Sequence, residues 1–128
     1  MNLESRIAKT KKNPEDLYNF LTQVENFGKL MPEDTKFELK GKNKFLFGLK
    51  GMPEIALELK DKTPNSQVVL GSTSDKLSFD LTCNISKKED GSEAQLIFEG
   101  DFNAMMAMMI KGPINKFLDQ LIKGLELI

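Results

Sequence analysis

Residues able to do covalent or acid–base chemistry are scarce in this chain. Its 128 residues include no histidine and a single cysteine, Cys83. Ser–His and Cys–His activation of a nucleophile are therefore unavailable. One cysteine allows neither an intrachain disulfide nor a four-ligand structural zinc site. Cys83 falls within an alternating apolar row of Leu77, Phe79, Leu81, Cys83 and Ile85. A thiol in such surroundings is expected to have a raised pKa and to act as a small hydrophobe rather than a nucleophile. Asp61 and Asp101, at the ends of expected strands, are the nearest candidates for a general base, although alternation puts Asp101 on the wet face. Gly48-Leu49-Lys50-Gly51 and Lys111-Gly112-Pro113 lack the spacing of a phosphate-binding loop. No acidic segment has a calcium-loop pattern. The expectation is no catalytic residue, no metal and no cofactor, and a balance tilted toward binding rather than catalysis.

Methionine is the other conspicuous residue type. Met105, Met106, Met108 and Met109 place four thioethers within five residues. Met is flexible and polarizable, suited to changeable contacts. On a helix successive side chains are separated by about 100°, so the four cannot share one face. Met105 or Met108 is expected to leave the inner face. The cluster reads as an adaptable lid over a pocket, as ordinary packing, or as a partner surface.

These residues need elements to hold them. Leu3 to Thr10 reads as a first strand with Leu3 and Ile7 on one face. Asn13-Pro14-Glu15-Asp16 is a helix start, with Asn as N-cap, Pro at the first helical position and acids in the first turn. Leu17, Tyr18, Phe20, Leu21 and Val24 recur at helical spacing. A second helical turn holding Phe27 is expected to end near Gly28 or Leu30, with Pro32 preventing extension.

Strands follow. Phe37 and Leu39 alternate with Lys36, Glu38 and Lys40. Phe45, Phe47 and Leu49 share a face, then Ile55, Leu57 and Leu59, with turns at 41–43, 50–53 and 63–66. Val68 to Leu70 is β-rich without a clear facing. The Cys83 row then opposes Lys76, Ser78, Asp80, Thr82, Asn84 and Ser86, the pattern of a sheet with one wet face. Glu89-Asp90-Gly91-Ser92 closes a hairpin onto Leu96, Phe98 and Phe102, with Gly100 marking a bulge or bend. From Asn103 onward, Met106, Ile110, Ile114, Phe117, Leu121, Leu125 and Ile128 form a helical stripe, widened by Met109, Leu118 and Ile122. Pro113 marks either a kink or a fresh start after Gly112.

Composition bounds the partners. The net charge is -1, so no global field draws nucleic acid, and the aromatic residues do not interleave with exposed lysines. Lys36, Lys40, Lys42, Lys44 and Lys50 gather on early strands, whereas Asp80, Glu89, Asp90, Glu93, Glu99 and Asp101 gather on late ones. This reads as a solvated outer face, or as a basic flank for an anionic membrane or acidic partner. No apolar run approaches the ~20 residues of a membrane span, and no signal peptide is evident, so the expected location is cytoplasmic. Transient membrane contact remains open, as does a monomer or a homodimer. Leu46 and Ile97 point outward and would make a dimer contact if they meet.

The order of elements is strand, two short helices, antiparallel strands and long terminal helix. With Asn13-Pro14-Glu15-Asp16-Leu17-Tyr18-Asn19-Phe20-Leu21, Phe27 and Leu30-Met31-Pro32, it resembles the helix-grip fold of the START-like, Bet v 1-like (SRPBCC) superfamily. Small members of that superfamily include polyketide cyclase-type proteins and a group named after carbon monoxide dehydrogenase. The resemblance implies an α+β fold over residues 1–128 as a single START-like domain, with a curved antiparallel sheet wrapped around the terminal helix. It also implies an apolar cavity between the two. Carried onto this chain, its walls would be Phe45, Phe47 and Leu57, then Phe79, Leu81, Phe98 and Phe102, then Met106, Met109, Ile110 and Phe117. The implied function is binding or carriage of a small hydrophobic ligand, lipid or polyketide-like. The alternatives are a cyclase- or hydrolase-type enzyme and a noncatalytic accessory or interaction protein with a filled core.

Overall fold

The computed structural model describes residues 1–31, 35–48, 54–73 and 78–128. The elements run β1 (Asn2–Glu4), β2 (Ala8–Thr10), α1 (Pro14–Leu21), a 3-10 turn (Val24–Asn26) and α2 (Phe27–Leu30). Then come β3 (Lys36–Leu39), β4 (Lys44–Gly48), β5 (Ile55–Thr63), β6 (Gln67–Ser72), β7 (Phe79–Lys88), β8 (Gly91–Gly100) and α3 (Ala104–Leu127). All pairings are antiparallel, in the order β1-β8-β7-β6-β5-β4-β3, with β2 continuing β1 along β8. The sheet curves around α3 in a helix-grip arrangement, and the expected α+β class holds.

Local chemistry explains the boundaries. Asn13 accepts a hydrogen bond from the Asp16 amide at 2.8 Å, and Pro14 costs nothing at a position with no intrahelical N–H bond to make. Asn103 caps α3 in the same way, accepting from the Met106 amide at 2.8 Å. The first strand differs from expectation. It splits because the Ser5 hydroxyl accepts the Leu96 amide at 2.9 Å in place of a backbone carbonyl. The break turns Ile7 outward, half exposed, so it does not share the face of Leu3. β7 and β8 pair without a slip from Phe79↔Gly100 to Lys88↔Gly91. Gly91 has φ +146°, and a side chain there would collide with the Thr10 carbonyl oxygen. Gly100 makes no bulge; it stays in register, and the room of its missing side chain is taken by the Phe102 ring, 2.6 Å from an ideal Cβ. The slip in the sheet occurs on β5, between Leu59 and Asp61.

α3 is continuous through Pro113 rather than restarting after Gly112. The Pro32 stop, the Lys50–Pro53 turn, Leu49, Lys76 and Leu77 lie outside the described residues. Inward side chains merge with α1, α2 and α3 into one core whose members include Leu17, Leu21, Phe45, Phe47, Leu57, Leu70, Leu96, Phe98, Ile114, Leu118 and Leu121. Val68 and Leu70 face that core and Val69 does not.

Candidate functional site

Two ring clusters occupy the concave side of the sheet. In one, Phe27 stacks on Phe45 at 5.4 Å, Phe45 meets Phe37 and Phe47, and Phe47 stacks on Phe117 of α3 at 4.7 Å. In the other, Phe79 meets Phe98 at 4.6 Å and Phe98 stacks on Phe102 at 6.0 Å. Ile55, Leu57, Leu70 and Leu81 come from the strands between them. Of the eleven expected wall positions, Phe45, Phe47, Leu57, Phe79, Leu81, Phe98, Ile110 and Phe117 are buried in this shared core, and Phe102 and Met106 are partly buried against it. Met109 is not placed there: it is 62% exposed. The reason is angular. At about 100° per residue, Met109 lies on the row of Met105, four residues earlier, and well away from the Ile110–Ile114–Phe117 stripe.

The same geometry sorts the whole cluster. Met105 is 75% exposed and Met108 82% exposed, and together with Met109 they occupy the side of α3 opposite its buried stripe. Met106 alone turns inward. α3 closes on the sheet only from Ile110 onward, where Ile110, Ile114, Phe117, Leu118, Leu121, Ile122 and Leu125 are buried. Its six residues before Ile110 occupy about 9 Å of axis. They start from the sheet end shared by Phe47 and Ile55, Leu57 and Ser72, and Phe79 and Gly100.

Few polar groups enter this interior. The buried polar side chains among the described residues are Ser5, Thr10, Asn26 and Ser92. Each is engaged with main chain: Asn26 donates to the Phe20 carbonyl at 2.9 Å, Ser92 donates to the Lys12 carbonyl at 2.7 Å, and Thr10 accepts the Lys12 amide at 3.3 Å. Burial pushes the Cys83 thiol up to about 12, which removes its thiolate at neutral pH. Asp61 is exposed, and so is Asp101. Among the described residues no group of three His, Cys, Asp or Glu could hold a metal ion, and no helix is long and apolar enough to cross a membrane.

Electrostatics act elsewhere, on the far half of α3. Arg6 donates to both carboxylate oxygens of Glu126 at 2.9 and 2.7 Å and lies 3.6 Å from Asp119, which also pairs with Lys123. The Arg6 hydrogen bond holds the Glu126 carboxyl below its ordinary value, and Glu126 holds the guanidinium above its own. No sequence signal pointed to this clamp, which joins residues 120 apart. Of the expected basic flank, Lys36 and Lys40 are paired with acids, no such pair forms at Lys42 or Lys44 among the described residues, and Lys60, outside that group, is paired as well. Lys36 reaches Glu54 at 2.9 Å, Lys40 reaches Glu38 at 3.1 Å, and Lys60 spans to Asp80 at 3.0 Å. A separate groove of about 860 Å³ lies between β2, the β7–β8 turn and the end of α3. It is lined by Lys9 to Lys11, Lys88 to Glu93 and Glu126 to Ile128, and by none of the expected wall residues.

The curved sheet, the two small helices after a split first strand and the long gripping helix define a helix-grip domain. Solved structures share it. Protein Ms6760 from Mycobacterium smegmatis aligns with 98% of this chain and 88% of its own, at TM-score 0.75 and 6% identity. Protein MLL2253 from Mesorhizobium loti aligns at TM-score 0.67 and 14% identity, covering 99% and 95%. The Aha1 dimer from Colwellia psychrerythraea aligns at TM-score 0.61 and 15% identity, covering 99% and 97%. At such identities the likeness is one of fold. No family model matches the chain, and no curated protein matches it.

Proposed function

We propose that residues 1–128 act as one noncatalytic domain that binds a small hydrophobic molecule, lipid or polyketide-like, between the sheet and the first half of α3. One observation carries the reading: among the described residues the helix buries its stripe from Ile110 onward, over inward strand faces that are apolar except for Thr10 and Ser92 at the far end of the sheet. The partial burial of Phe102 and Met106, beside the Phe79–Phe98 pair, supports an entrance for the ligand at that end of the sheet. Affinity comes from removing apolar surface from water, at about 25 cal/mol per Å² before the entropic costs of association. The backbone-bound buried polar groups and the protonated Cys83 support binding over cyclase or hydrolase chemistry.

Ring contacts of 4.6 and 4.7 Å favour a second reading, an accessory protein whose interior is already filled and whose methionines meet a partner. Organic extraction of the purified protein followed by mass spectrometry separates the two. A copurifying apolar molecule, or a rise in Tm with a panel of fatty acids, is the expected result. An empty extract together with an unmoved Tm across the panel would overturn the ligand reading and leave the filled-core one.

A further inference from the structure

Residues 104–110 of α3, Ala-Met-Met-Ala-Met-Met-Ile, carry no charged or hydrogen-bonding side chain on any side. A helix apolar all round belongs in an apolar environment on both faces, yet only Met106, Ala107 and Ile110 are drawn in from solvent here. Met105, Met108 and Met109 stand out on the opposite side, at a helix end that begins where the strands stop. Charge accompanies them. Lys111 and Lys116 are exposed and make no ion pair among the described residues; Lys116 continues the Met105–Met109 row, whereas Lys111 sits at the edge of that face, about 60° round the helix from Met108. No acid occurs between Asp101 and Asp119, and neither the first turn of α3 nor its Asn103 cap carries negative charge to offset the positive end of the helix dipole.

We propose that this outer face of α3 docks on an anionic lipid surface. The methionines enter the interface, and Lys111 and Lys116 follow at headgroup level. Lys116 lies about two turns beyond Met109 on the same side of the helix, from where its long side chain can reach headgroups while the thioethers sit below them. A bilayer rather than an acidic protein is the occupant, because the face is a convex helix end bearing flexible thioethers. Such a surface needs apolar depth and opposite charge but no matching shape.

The inference is independent of ligand carriage, since fatty-acid uptake from solution and attachment to vesicles are scored separately. The full chain is mixed with vesicles of phosphatidylcholine alone or containing phosphatidylserine, and sedimented. Binding is expected with phosphatidylserine and should weaken as salt rises. Joint replacement of Lys111→Gln and Lys116→Gln should cost roughly 30-fold in that binding, at about 1 kcal/mol per lysine. Met105→Ser with Met108→Ser and Met109→Ser should abolish it at unchanged Tm. No sedimentation of the wild type at low salt, or a triple variant that binds as the wild type does, overturns the proposal. So does light scattering that shows a dimer which the triple variant dissolves, because the face would then belong to a second copy.

Discussion

The two halves of α3 share one helix and meet opposite fates. From Ile110 onward the helix has an amphipathic pattern, and its stripe is buried against strands and α2 while Arg6 pins its polar side through Glu126 and Asp119. Before Ile110 it has no polar side at all, and three of its four methionines face solvent. Burial in the second half is paired with solvation of the opposite side, as stability requires. The first half forgoes that pairing. Exposed apolar surface held on a rigid, capped helix is costly in water, which is the physical argument for an external partner there.

The sharpest way to break this contrast is to truncate the closed half. Phe117→Ala removes the ring stacked on Phe47 at 4.7 Å and should cost about 3–5 kcal/mol by urea unfolding. A cost near that of a surface change would mean the grip is not where we place it.

Cys83 tests the closed region through pH. Its folded value of about 12 exceeds the ordinary 9.0, so its contribution is complete below pH 9 and is lost as pH rises toward 12. The slope reaches about 1.4 kcal/mol per pH unit for one proton. Wild type minus Cys83→Ala in alkaline unfolding isolates it, and equal slopes in the two proteins would place the thiol in contact with water.

Asn103→Ala should cost about 1 kcal/mol through loss of the cap. Hydrogen exchange should speed up at Met105 and Met106 and not beyond Phe117. Met108→Ala should change stability by no more than about 0.5 kcal/mol, the usual range for a surface site.

Arg6→Ala should have the smallest effect on stability, a slight fall in Tm that shrinks as salt screens the exposed pair. The Glu126 carboxyl is lowered by Arg6, so the pair's contribution is present above the ordinary carboxylate value of 4.5. It disappears as pH falls through the folded value. A wild type and an Arg6→Ala variant with identical acid unfolding profiles would show the clamp to be idle.

Much of this fold was legible residue by residue. Asn13-Pro14 announces α1 because the Asn13 side-chain oxygen takes one of the four amides that a helix start leaves unpaired, and proline has no N–H to leave. The alternation from Phe79 to Ile85 gives the facing of β7 because a pleated strand repeats every two residues. Ile7 and Leu39 were not legible: both alternate correctly, yet Ile7 follows the Ser5 break and Leu39 lies on the edge strand, half exposed. Met109 was legible in principle, since its four-residue spacing from Met105 already puts it off the buried stripe. Leu46 and Ile97 sit on β4 and β8, with three strands between them in the sheet order, so they do not meet within one chain.

By itself, then, the sequence determined the element types, the apolar lining of the inner strand faces and the scarcity of reactive groups, because periodicity and composition are local properties of the chain. Tertiary structure alone decided which part of the apolar surface finds cover. It laid Phe117 on Phe47, joined Arg6 to Glu126, and began the burial of the helix stripe at Ile110. Burial is a relation between distant segments, and no spacing along one segment records what lies opposite it.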